Sequence, residues 1–378
     1  MSTMTALTRD VTPDGREAWF ARKHAHVTEL MQDKRLSMRP PSADVPSWFD
    51  DKPMHRALVR LANQAIPDGW SDQEDRARRR DTLNKTFRGI NRALPEVRAY
   101  ADRLLDEMVA DGAPADLTDR FSQPLCAKVI CDLVDAPVSD VEKLRKWADD
   151  KEARDYSKVA PALRQLNAYV KDLIARRTEQ PGDDVVSILL AAEPPDSVHM
   201  GRSGNVLAWI LGLGWQVPAG AIDLGMLLFM THPDQMRLLQ EEPTLIKGAV
   251  EEVLRHYDPT PPQIGGGDRY ADLDFEYEGA QIRKGDLIVL DVVAANKDPE
   301  VFPDPEAFDI RRGERIPHVT FGLGYYFCNF HQVARQEMAV AFEAIARRLP
   351  TIHLAQPLED VRYQRFPSNA PAALSVGW

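Results

Sequence analysis

The chain of 378 residues carries a formal net charge of −11, with 44% hydrophobic and 28% charged residues. That acidity excludes non-specific nucleic-acid binding, which needs a basic footprint, and the length requires one large core or two fused ones. Its three cysteines, Cys126, Cys131 and Cys328, show no pairing pattern, which fits a reducing cytoplasm better than a disulfide framework.

Residues 1–17 lack the apolar stretch of a signal peptide. A short strand is predicted over 16–22 and a short helix over 24–32. Residues 40–72, rich in Pro, Asp and Trp without periodicity, read as a loop-dominated segment. A basic helix follows over 72–94, then helices over 95–111, 127–134, 141–150, 160–179 and 183–192. The stretch 203–231 reads as one long apolar helix. It holds Gln216 and Pro218 centrally and reaches Asp223, so it is read as a buried core helix and not a membrane span. Helices over 233–241 and 245–257 precede a change of texture after Pro259. Segments 274–277, 280–282 and 287–293 alternate as strands separated by turns at Gly279 and Lys284-Gly285. A Pro/Asp-rich meander over 296–305 leads to Cys328, and the tail from 352 contains strand-like pieces split by Pro367 and Pro371. The fold class is mainly α with a minor β region, in a single folding unit over 1–378.

Cys328 ends the run His318-Val319-Thr320-Phe321-Gly322-Leu323-Gly324-Tyr325-Tyr326-Phe327-Cys328, ahead of a helix predicted to about residue 349. A thiolate at a loop-to-helix junction sits where backbone N–H groups and a helix N-terminus stabilise negative charge, which suits a soft metal ligand. Gly322 and Gly324 permit backbone conformations that a Cβ would resist, and Phe321 supplies an aromatic wall beside the sulfur. This Phe-x-x-Gly-x-x-x-Cys resembles the cysteine-ligand loop of cytochrome P450 enzymes, whose thiolate pushes electron density onto a haem iron.

The resemblance to bacterial P450 enzymes runs from about residue 16 to the C-terminus. It implies a triangular, mainly helical fold with small antiparallel sheets, and haem b (iron protoporphyrin IX) between the long central helix and the Cys328 loop. It further implies a cytoplasmic enzyme acting on a small-molecule natural product, with a ferredoxin-type redox partner, no membrane span and no nucleic acid. Arg76 and Arg80, spaced i, i+4, resemble the family's pair on a haem propionate, and Arg269 and His318 match two further propionate contacts. Two residues depart from the pattern. Tyr326 stands where a basic propionate contact is common, able to hydrogen-bond but uncharged. Phe330 stands where a Gly lets the following helix lie close to the haem.

Glu252-Val253-Leu254-Arg255 matches the family's structural Glu-x-x-Arg, with both charges on one helical face. The usual third partner, an Arg in the meander, is replaced by Ala307, so Arg311 or Arg312 must substitute. Trp209, Leu213, Gln216 and Val217 map to the substrate side of the central helix, and Thr260 to Ile264 and Phe366 would close the pocket.

The central helix departs further. In place of Ala/Gly-Gly-x-Asp/Glu-Thr, whose acid and alcohol supply the protons that dioxygen cleavage consumes, it carries Leu213-Gly214-Trp215-Gln216-Val217 and then Pro218. Gly214 is retained, Gln216 cannot ionise, Val217 has no hydroxyl, and Pro218 favours a kink. Gly214, Gln216 and Val217 are thus the candidate catalytic positions. Three readings stay open. The first is a haem-thiolate enzyme of atypical chemistry, such as an oxidation, rearrangement, cyclisation or group transfer. The second is a conventional monooxygenase with protons from water or substrate, and the third is a degenerate binding or recruitment module.

Overall fold

The computed structural model describes residues 7–12, 15–38, 90–152, 156–192, 207–208, 210–212, 214–258, 267–364 and 369–378. In chain order the elements begin with β1 (Thr8–Val11), β2 (Glu17–Ala21), α1 (His24–Leu30), β3 (Leu36–Ser37), α2 (Ile90–Asp111) and β4 (Ala115–Asp116). A five-residue π-helical turn, Thr118–Ser122, leads into α3 (Gln123–Leu133), α4 (Val141–Glu152), α5 (Tyr156–Glu179) and α6 (Val185–Ala191). Next come α7 (Gln216–Thr231), α8 (Pro233–Glu241), α9 (Ile246–His256), β5 (Asp268–Ala271), β6 (Phe275–Tyr277), β7 (Ala280–Ile282), β8 (Leu287–Leu290) and α10 (Val292–Asn296). The chain ends with α11 (His331–Arg348), β9 (His353–Leu354), β10 (Tyr363–Gln364), β11 (Ala370–Pro371) and β12 (Ser375–Gly377).

These elements divide between two compact units, residues 1–73, 254–307 and 315–328 in the first and 74–253, 308–314 and 329–378 in the second. The first unit is organised by a sheet of order β1-β2-β8-β5-β3, in which β2 and β8 run parallel and the other pairs antiparallel. Period-2 alternation sorts its side chains. Ala21, Ile288 and Leu290 pack with Val27 and Leu30 of α1, whereas Ala18, Phe20, Tyr270, Leu287 and Val289 form the cluster on the other face.

The second unit holds α2 to α8 and α11, with the small sheets β4-β12-β9 and β10-β11. Its central helix, α7, packs on α3 and α11. Phe229 of α7 meets the rings of Phe308 and Phe342 edge-on, at centroid distances of 5.3 and 5.4 Å. Among the described residues one stretch, Ile210–Thr231, is long and apolar enough to cross a membrane, and most of it is buried, as in a core helix.

The structure moves several predicted boundaries. α2 starts at Ile90 and passes through Pro95, where the sequence suggested a helix start. The predicted strand over 287–293 stops at Leu290, because the Asp291 carboxylate accepts Ala294 N–H at 2.9 Å and caps the short helix α10. The helix predicted over 203–231 is interrupted at 214–215, so Pro218 falls in the first turn of α7. There a missing N–H costs nothing, since first-turn N–H groups have no partner within the helix. The interruption lies three to four residues ahead of Pro218, where a proline ring crowds the carbonyl of a continuous helix.

Candidate functional site

The Cys328 loop belongs to the first unit and is closed by its own backbone. Gly322 N–H donates to Val319 O at 2.8 Å, and Cys328 N–H donates to Phe321 O at 2.8 Å, bringing the two ends of the loop together. Gly322 and Gly324 have φ of +69° and +66°, the left-handed region where a Cβ is strained. A Cβ on Gly322 would also stand 3.2 Å from Tyr326 O.

The loop is anchored through buried polar groups. Asn296 accepts Val319 N–H at 2.8 Å and donates to Thr320 Oγ1 at 2.9 Å, while Thr320 Oγ1 donates to Leu254 O at 2.6 Å. The His318 ring lies beside Phe321, and its Nδ1 accepts Thr320 N–H at 3.3 Å. Asn296 and Thr320 were not singled out from sequence as loop anchors. Their only signal was an amide within an otherwise apolar Ala-Ala-Asn and a hydroxyl within Val-Thr-Phe.

Cys328 is half-buried, unlike Cys126 and Cys131, which are enclosed in α3. Burial raises both α3 thiols, Cys131 to about 12, and keeps them protonated. Of the three thiols, Cys328 alone is not enclosed. The helix predicted directly after it begins only at His331, with Phe330 as N-cap at φ −85°. That backbone suits any residue, so replacing glycine by Phe330 carries no conformational penalty there.

On β5, Arg269 is only 2% exposed. Its Nη1 donates to Asp268 O at 2.9 Å, and its guanidinium lies 4.6 Å from the centre of the Tyr326 ring. This strand was missed from sequence because Asp-Arg-Tyr-Ala is short and starts with two charges, yet all four residues are buried.

Glu252 and Arg255 both lie on α9 and are buried, where an isolated Glu-x-x-Arg is more often a surface pair of little worth. Arg255 fans out to main-chain carbonyls of its own unit, at 3.1 Å to Asn296 O, 2.7 Å to Pro305 O and 3.0 Å to Ala307 O. Glu252, in the second unit, accepts Arg312 Nε–H at 3.0 Å and Asp309 N–H at 3.1 Å. Arg312 is therefore the substitute for the meander arginine, while Arg311 pairs with Glu242 at the surface. Position 307 contributes its carbonyl alone.

The central-helix positions belong to the second unit. Gln216 opens α7 and is 8% exposed, and Val217 is half-buried. Gly214 lies in the interruption, where a Cβ would come within 2.5 Å of Ile210 O and 3.2 Å of Ile130 Cδ1. Its smallness answers a packing need inside this unit. Seven residues beyond Gln216, Asp223 is buried in the same helix and accepts Ser122 Oγ–H at 2.5 Å. Of the other predicted site residues, Arg76, Arg80, Trp209, Leu213, Thr260, Ile264 and Phe366 lie outside the described residues.

The sequence profile of the family described as Cytochrome P450 matches residues 221–356. Pentalenolactone synthase of Streptomyces exfoliatus is 31% identical over 93% of this chain and 87% of its own length. The 6-deoxyerythronolide B hydroxylase of Saccharopolyspora erythraea is 30% identical over 95% and 90%. Among solved structures, the LnmA cytochrome P450 hydroxylase from the leinamycin biosynthetic pathway of Streptomyces atroolivaceus superposes with a TM-score of 0.82. It is 28% identical, over 99% of this chain and 94% of its own.

Proposed function

The chain belongs to the cytochrome P450 family, and from that premise we propose that it tailors a small-molecule natural product without the family's acid–alcohol proton relay. Membership makes it an oxidoreductase of the monooxygenase type with haem b as cofactor, not a recruitment module. Haem, when bound, supplies the redox centre at which dioxygen is activated.

The residues of this chain fit that group. Cys328 would hold the iron through its thiolate, in a loop whose shape requires glycine at 322 and 324, with Phe321 and Phe330 flanking the sulfur in sequence. Arg269 and His318, with Arg76 and Arg80, would hold the two propionates, guanidinium being matched to carboxylate in charge and geometry. Trp209, Leu213, Thr260, Ile264 and Phe366 would line the substrate pocket. We take residues 1–378 as one haem domain of the cytoplasm, fed electrons by a ferredoxin-type partner.

Gln216 carries the reading of atypical chemistry. Gln216 is buried at the start of α7; the sequence resemblance sets it where the family has an acid, and an amide donates and accepts hydrogen bonds without giving up a proton. Val217 beside it offers no hydroxyl to pass one on. Oxidation, rearrangement, cyclisation or group transfer are the reaction classes this arrangement favours. Replacing Gln216→Asp together with Val217→Thr is expected to raise hydroxylating turnover or peroxide release about a hundredfold, the lower end of general acid catalysis. Unchanged oxygen chemistry in that variant would contradict the account. The hydroxylase names of the relatives favour a second reading, conventional hydroxylation with protons relayed by water or substrate. It predicts oxygen uptake coupled to hydroxylated product in the unaltered enzyme.

A further inference from the structure

We propose that Tyr326, standing where the family commonly places a basic residue, is a positioning residue whose ring holds the Arg269 guanidinium in place for a haem propionate. This rests on the reading of Arg269 as a propionate contact. A guanidinium buried to 2% exposure sits in a medium where charge is costly, so its orientation must be well defined. Its contacts include Asp268 O at 2.9 Å from Nη1 and the face of Tyr326 at 4.6 Å. A guanidinium held over a ring face keeps the planar fork of N–H groups that suits a carboxylate.

The platform is itself fixed. Tyr326 Oη accepts Met38 N–H at 3.2 Å, which ties the far end of the ring to the chain beyond β3. The one-turn segment Gly324–Tyr326 begins at a left-handed glycine, where a Cβ would come within 3.3 Å of Met31 O and 3.2 Å of Gln32 Cγ. Both ends of the ring are thus held by the same unit that carries Cys328. A lysine or arginine at 326 would add a charge on a flexible stem, whereas tyrosine adds a rigid support and no charge. The chain has in this way replaced a second cation by a device that places the first.

The test uses holoprotein and two readouts other than turnover, the rate of haem transfer to excess apomyoglobin and the haem reduction potential. Tyr326→Leu is expected to release haem about tenfold faster, the scale of a desolvated cation–π contact, and to shift the potential to more negative values as the cation moves off. Tyr326→Phe keeps the ring and is expected to stay within about twofold of the unaltered protein, which also shows that the site tolerates substitution. In an Arg269→Leu background, Tyr326→Leu should add nothing to either readout. The proposal is overturned if Tyr326→Leu behaves like the unaltered protein, or if Tyr326→Phe loses haem as fast as Tyr326→Leu. It is equally overturned if the Tyr326→Leu effect persists undiminished without Arg269. An unaltered protein that holds haem by thiolate while these expectations fail leaves the Cys328 assignment intact; one that holds no haem overturns both.

Discussion

Arg255→Leu is expected to cost on the order of 5 kcal/mol of folding stability, enough to exhaust the margin of many single domains. The cause is not the lost charge itself. Three main-chain carbonyls, at Asn296, Pro305 and Ala307, receive hydrogen bonds from this one guanidinium, which is 1% exposed. Leucine fills part of the volume and satisfies none of them, and a buried acceptor without a donor costs about 1–3 kcal/mol. Arg255→Lys should recover little, because a point charge on a flexible stem cannot reach three divergent carbonyls as a planar fork does. Asn296 also anchors the Cys328 loop through Val319 and Thr320, so loss of haem should accompany the loss of stability. Denaturant unfolding and haem content check this. A leucine variant within about 1 kcal/mol of the parent would show that the carbonyls are satisfied in some other way.

Asp223→Asn is expected to stabilise the protein at pH 8 and to give no such gain at pH 4. Asp223 is 1% exposed in α7, and burial pushes its carboxyl from an ordinary 3.8 up to about 7, a rise that the hydrogen bond from Ser122 reduces. Asp116 on β4 adds to the rise, and Cys126 and Glu337 lie nearby, with Glu337 itself held well up by burial. The folded protein therefore keeps a proton that the unfolded chain releases between about pH 4 and pH 7. Stability falls as pH rises across that window and stays low above it. Asparagine preserves a hydrogen-bonding group for Ser122 and removes the charge, so the difference at pH 8 should approach 4 kcal/mol on an order-of-magnitude scale. Equal effects of the substitution at the two pH values would refute the assignment of a neutral Asp223.

The contrast between these two sites shows what a sequence exposes. Spacing within one stretch was legible, as in the glycines flanking the Cys328 loop, whose left-handed φ values follow from residue type. Glu252 and Arg255 were legible as a pair because three residues on a helix place them on one face. Their partners were not, because Arg312 meets Glu252 across 60 positions of chain and the carbonyls under Arg255 have no residue-type signature. Meander geometry decides that Arg312 and not Arg311 takes the role. Asp223 was legible only as an acid interrupting an apolar stretch, and Glu337 was not singled out, because a lone acid within a helix pattern does not reveal which side it faces. The interruption in the central helix was legible through Pro218, which disfavours a continuous helix one turn before itself, though the sequence did not show that a new helix would start at Gln216.

The most direct measurement is the absorption spectrum of the reduced protein under carbon monoxide, taken for the parent and for Cys328→Ser. A cysteine thiolate on the iron predicts the red-shifted carbonyl band of a thiolate-ligated haem in the parent and its disappearance in the serine variant. A parent spectrum of the histidine-ligated kind, or a thiolate band that survives the loss of Cys328, would contradict it.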